Sequence, residues 1–212
     1  MDETDQRQPL VVCDAGPLIH LDELGCLDLL ADFRAVLVPA EVWREVQRYR
    51  PSALAQTVVT LRQLTPTQPV PPALTPMARL LALHAGELEA LRVALEHNPA
   101  LLLTDDTAAR LAARNLSIRA HGTLGILLRA IRRGQRSKDE LIEVLRELPQ
   151  KSTLHLKRSL LDDVMVLGMA DPAAHIVPGS GQQQAGEFAL LHGWASWLRA
   201  LRRLARSSRA IT

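Results

Sequence analysis

Five acidic residues stand where side chains could do chemistry: Asp14, Glu45, Glu87 and the adjacent pair Asp105 and Asp106. Asp14 directly follows the apolar run LVVC, and Thr104-Asp105-Asp106 directly follows LLL. A carboxylate at the carboxyl end of a buried strand projects at the rim where open α/β sheets bind their ligands. Shortly before Pro17, Asp14 also has the setting of a turn or a helix N-cap. One of Asp105 and Asp106 should cap the helix that follows, yet two adjacent aspartates exceed what a cap requires.

Helical geometry places the glutamates. At 100° per residue, Val42, Val46 and Tyr49 gather on one side of the helix starting at Ala40, and Glu45 falls nearer that seam than Glu41. Glu41 therefore reads as a solvated residue. In the helix over 86–97, Glu87 shares the sector of Ala90, Leu91 and Ala94, while Glu89, Arg92 and Glu96 collect on the far, water-facing side. A carboxylate on a buried face is costly unless it is paired or binds a cation, although a helix N-terminus offsets part of that cost. Four acidic points on one rim suit Mg2+ or Mn2+, which take oxygen ligands and bind substrate phosphates. The seven histidines show no H-x-x-x-H or Cys/His pairing, which argues against zinc. The chain also lacks G-x-G-x-x-G after its first strand, G-x-x-x-x-G-K-[ST] and G-x-S-x-G. Dinucleotide-binding, P-loop and α/β-hydrolase readings fall with those motifs.

Positioning these acids takes alternating strands and helices. Buried strands are expected at 10–13, 35–38 and 101–103, with an edge strand within 58–64 and a short strand at 117–119. Helices are expected within 18–30 (interrupted at Gly25), over 40–49, over 86–97, up to Arg114, over 123–133 and over 138–148. Thr123, in His121-Gly122-Thr123, reads as an N-cap rather than a catalytic group. Residues 65–76 hold five prolines and read as an extended connector. Short strands that are apolar on both faces argue for an α/β fold with a parallel sheet covered by helices on both sides.

The 212 residues are 47% hydrophobic and 23% charged, which excludes wholesale disorder and fibrous repeats. Three Trp, one Tyr and two Phe are too few for an aromatic platform that stacks single-stranded bases. Beyond Ala170, five arginines (Arg199, Arg202, Arg203, Arg206 and Arg209) face Asp171 and Glu187, a net +3 that leaves −1 of the total +2 for the rest. Residues 171–187 are rich in Pro, Gly and Gln and read as a linker. Residues 188–206 read as a basic amphipathic helix with Leu191, Trp194, Leu198 and Leu201 along one side. Cys13 and Cys26 form no disulfide framework. MDETDQRQ lacks the form of a signal peptide, and no stretch reaches 18 uninterrupted apolar residues, so no membrane span and a cytoplasmic location are expected.

Four segments in order, VVCDAGPLIHL, VLVPAEVWREV, AGELEALRVALE and LLLTDDTAARLAARNLSIRAHGTLGILLRAIRRG, resemble a PIN-domain protein of the VapC-like branch, in which a G-E-x-E-A motif opens the third acidic helix. The resemblance implies a PIN-like three-layer α/β/α domain over 9–150, extended by 151–170 and followed by the accessory tail at 171–212. It matches Asp14, Glu45, Glu87 and Asp106 to the family's four acids, with Asp105 close enough to share or replace the last. It implies a Mg2+- or Mn2+-dependent endoribonuclease acting on RNA, often a toxin held by a small antitoxin and commonly a homodimer. Asp14, Glu87 and Asp106 (or Asp105) would hold the metal, and Glu45 would complete the cluster or orient a water. Arg110, Arg114, Arg129, Arg132 and Arg133 are candidates for RNA phosphates. Two other classes compete: a non-catalytic PIN-like module that binds RNA or protein, and a flavodoxin-like phosphate sensor. The sensor needs a basic residue on a late strand, for which Arg119 is a poor candidate.

Overall fold

The computed structural model describes residues 10–99, 101–156 and 161. Among the described residues, three aliphatic runs and two shorter or more polar segments form five strands: β1 (Leu10–Cys13), β2 (Ala35–Pro39), β3 (Leu61–Leu64), β4 (Leu101–Leu103) and β5 (Ala120–His121). All pair in parallel, in the order β3-β2-β1-β4-β5. Eight helices connect or flank them: α1 (Ala15–Glu23), α2 (Ala40–Tyr49), α3 (Ser52–Ala55), α4 (Leu74–Leu80), α5 (Ala85–His97), α6 (Thr107–Asn115), α7 (Thr123–Arg132) and α8 (Lys138–Lys151). A 3-10 segment at Leu27–Asp32 follows the break at Gly25, whose φ of 64° ends α1's course as the glycine predicts.

Strand alternation divides the core between two faces. Val12, Leu37 and Leu102 meet Leu74 of α4, Leu91 and Ala94 of α5, and Ala112 and Ala113 of α6. Val11, Cys13, Val36 and Leu103, equally buried, point to the other side of the pleat. There α1, the 3-10 segment and α7 pack on one another, with α8 against α7. The result is the three-layer α/β/α arrangement expected, with a wholly parallel sheet in the middle.

Two local expectations are corrected. Residues 65–76 are not an extended connector throughout, because α4 begins at Leu74, which is fully buried. Pro76 lies in that helix's first turn, where its missing N–H would have had no partner. The short strand expected at 117–119 lies instead at Ala120–His121. Ser117 at φ 59° and the Ile118 N–H bond to Ala113 O carry the chain out of α6, delaying its entry into the sheet. The expected tail helix over 188–206 and nearly all of the 151–170 extension lie outside the described residues.

Candidate active site

The sheet changes direction at β1: the chain steps outward to β2 and β3, then returns to β4 on β1's other side. Ligands of open parallel sheets bind at such a switch point, beyond the strands' carboxyl ends. Asp14 sits there. Its N–H donates to Leu103 O at 2.9 Å, tying it to the end of β4, and its carboxylate Oδ2 accepts from Thr104 Oγ1 at 2.9 Å. The residue is 7% exposed. Burial above all pushes its carboxyl up to about 6, against hydrogen bonds from the Ala15 N–H and Thr104, and the negative charges of Glu87 and Glu45 push the same way as burial. Thr104 is buried too, and its hydroxyl also accepts from the Asp106 N–H at 3.2 Å. It is thus a site-positioning residue that the sequence reading passed over; a threonine directly after LLL and before two aspartates was the available signal.

Helices α2 and α5 bring the other two acids to Asp14. A Cβ on Gly86 would stand 3.4 Å from Val42 Cγ2, 3.5 Å from Glu45 Oε2 and 3.9 Å from Asp14 Oδ1. The missing side chain therefore leaves a recess that two carboxylates face. Glu87 follows on α5 with only 14% of its side chain exposed, as its wheel position predicts. Its Oε2 accepts from the His84 N–H at 2.8 Å, closing the start of α5. Partial desolvation first, and the charge of Glu87 second, raise the Glu45 carboxyl, while His84 pulls it down. Among the described residues, no lysine or arginine forms an ion pair with Asp14, Glu45 or Glu87.

The wheel misplaced two glutamates. Glu89, expected in water, is only 9% exposed, and its Oε2 accepts from the Glu41 N–H at 2.6 Å. The apolar stripe faces the sheet, but α5 also packs against α2, which covers the flank the wheel left to solvent. Glu45, expected nearer the seam than Glu41, belongs to an exposed residue while Glu41 is half-buried. Its chain is open to water, and only its carboxylate turns against Gly86.

Asp105 and Asp106 have separate tasks. Asp106 Oδ1 caps α6 by accepting from the Ala109 N–H at 2.7 Å; its Oδ2 has no hydrogen bond to a described residue. Asp105 is tied down through both oxygens. Oδ1 accepts from the Thr123 N–H at 2.7 Å, and Oδ2 takes the Thr123 hydroxyl at 2.6 Å and meets His20 Nδ1 at 2.8 Å. Burial works to raise the Asp105 carboxyl, but the bonds from His20 and Thr123 outweigh it and hold it below the usual aspartate range. Thr123 is therefore not an N-cap: it is the first residue of α7, and Asp105 does the capping from another element. Gly122 has to be small here, since a Cβ would overlap Asp105 Oδ1 and crowd Arg110 Nη1 at 3.2 Å. Gly122→Ala should cost about 1–3 kcal/mol of stability, measurable as a lower chemical-denaturation midpoint; an unchanged midpoint would refute the tie.

The matching sequence pattern agrees with this geometry. A family model described as a PIN domain matches residues 10–168, three quarters of the chain. The chain belongs to the PIN-domain family. No curated protein matches it.

The candidate phosphate ligands of this PIN domain are distributed unevenly. Arg129 and Arg133 both pair with Asp32, Arg133 at 3.1 Å, and Arg129 also lies over the Phe33 ring at 5.0 Å. Each pairs through one terminal nitrogen, and Arg133 keeps 53% of its side chain exposed. Arg132 and Arg114 are exposed and make no ion pair with a described residue. Arg110 stands beside Gly122, at the edge of the Asp105 loop. No helix among the described residues is long and apolar enough to cross a membrane.

PIN nucleases generally use divalent metals, for which carboxylate oxygens are the natural ligands. Among the described residues, no three His, Cys, Asp or Glu side chains are already arranged to hold one ion. The donor set nevertheless suits a hard cation: all oxygen, two carboxylates facing one recess, a third beside them, and, among the described residues, no lysine or arginine paired with them, only His84 3.5 Å from Glu87 Oε1. Asp105 is the least suited of the predicted ligands, because three hydrogen bonds occupy both its oxygens.

Proposed function

We propose that this PIN domain is a Mg2+- or Mn2+-dependent endoribonuclease that hydrolyses phosphodiester bonds of RNA. The observation that carries the reading is the crowding of Asp14, Glu45 and Glu87 at the sheet's switch point with no lysine or arginine among the described residues paired to them. Asp14 and Glu87 hold the ion, Asp106 offers Oδ2 as a further oxygen, and Glu45, the most open of the set, accepts a proton from the attacking water. A cation bound there acidifies water and offsets charge building on the scissile phosphate. Arg110 holds a phosphate at the rim, a charge-assisted contact that orients the strand. The VapC resemblance supports a toxin role, with a small antitoxin as partner and a homodimer as the assembly.

The test is cleavage of single-stranded RNA by the full chain with Mg2+ or Mn2+, with and without a chelator. Cutting that needs the metal and stops with the chelator is expected. A protein that binds RNA but cuts none with either metal would be the non-catalytic module instead.

A further inference from the structure

In Ala85-Gly86-Glu87-Leu88-Glu89, two glutamates two residues apart do different work, because successive odd positions on a helix face different neighbours. Glu87 turns toward Asp14 and Glu45. Glu89 turns toward α2, where its buried carboxylate accepts the Glu41 N–H at 2.6 Å. That N–H belongs to the first turn of α2, whose donors have no partner within the helix. The residue preceding α2 is Pro39, which has no capping side chain. Glu89 therefore supplies from α5 the cap that α2 cannot supply itself, and its negative charge lies at the positive end of α2's dipole. Glu45 follows one turn later on the same helix. The second link between the helices is Gly86, packed close to Val42 and Glu45.

We infer that Glu89 is a positioning residue that sets the spacing between Glu45 on α2 and Glu87 on α5. It touches neither substrate nor cation. Its role rests on the nuclease reading for its consequence, but the strut itself is independent of any activity. Outer partners that orient ligand-bearing elements typically change metal affinity or turnover by about 10–100-fold when removed.

Two substitutions separate geometry from charge. Glu89→Gln keeps the length and an acceptor oxygen but loses the charge. Glu89→Asp keeps the charge but withdraws the acceptor by one methylene. Three quantities are measured on the full chain: hydrogen exchange of the Glu41 amide without metal, Mn2+ affinity by calorimetry, and kcat and KM for single-stranded RNA. Glu89→Asp should expose the Glu41 amide to faster exchange, weaken Mn2+ binding about tenfold and lower kcat about tenfold with KM unchanged. Glu89→Gln should stay within about threefold of the parent in each, since a neutral acceptor keeps most of the hydrogen bond. Glu41→Ala, which keeps the N–H and removes a half-buried side chain paired only with Arg44 one turn on, should match the parent. Equal Glu41 exchange in the parent and Glu89→Asp would overturn the strut whatever the activity. A larger loss in Glu89→Gln than in Glu89→Asp would make Glu89 a charge-dependent ligand and overturn the positioning role. A parent with a protected Glu41 amide but neither Mn2+ binding nor cleavage would keep the strut and sink the nuclease reading.

Discussion

Glu87→Gln is expected to lower Mg2+- or Mn2+-dependent RNA cleavage by about 100-fold or more, a loss of roughly 2.7 kcal/mol of transition-state stabilisation. Glutamine keeps the size of the side chain and an oxygen that can accept the His84 N–H, so the closure of α5 survives. What it removes is the negative charge beside Asp14 and Glu45. Metal-free stability should change by less than about 1 kcal/mol, because the lost charge-assisted cap is offset by relief of repulsion among the three acids. Glu143 on α8, whose side chain is 66% exposed, provides the comparison: Glu143→Gln should cleave like the parent. Glu89 cannot serve as that comparison, although its wheel position suggests it, because it is buried on α2. Equal cleavage by the parent and Glu87→Gln would remove Glu87 from the site.

The second large effect is a pH dependence. Asp14 is raised from the ordinary aspartate value of 3.8 to about 6, so the folded, metal-free protein holds a proton there that the unfolded chain has already released. Stability must then fall as pH rises from about 4 through about 6, by up to roughly 3 kcal/mol for two pKa units. The sign is opposite to that of a salt-bridged aspartate, whose stability is lost on acidification. Asp14→Asn should remove this slope and leave the metal-free protein more stable than the parent at pH 7, with the Asn oxygen still accepting from Thr104. Mn2+ should restore the parent's stability at pH 7 and do little for Asp14→Asn. Denaturation midpoints at pH 4.5 and 7, with and without Mn2+, measure all of this. A parent that gains stability over that interval while Asp14→Asn does not would refute the burial of an uncompensated charge.

The sheet and much of its rim were legible in the order of residues alone. LVVC, AVLV and LLL are short and uniformly apolar, end at turn or breaker residues and alternate with helical patterns, which reads as buried parallel strands, so Asp14 and Thr104-Asp105-Asp106 were expected at strand ends. Periodicity also put Glu87 on the covered side of α5, because one helix against one sheet is the situation a wheel describes. What lay between elements came from their packing. The wheel assumes a single buried face, and α5 has two, which is why Glu89 was misread and Glu45 misranked. Two neighbouring aspartates look alike in a string, yet their side chains leave the backbone in different directions. Asp106 turns back to cap its own helix, while Asp105 reaches across to Thr123 and His20. The same holds for Arg129 and Arg133, whose partner Asp32 lies about a hundred residues earlier in the chain. Local spacing specifies a side chain's element and its face. The partner that fills its hydrogen bonds or answers its charge comes from distant segments, and packing alone brings those together.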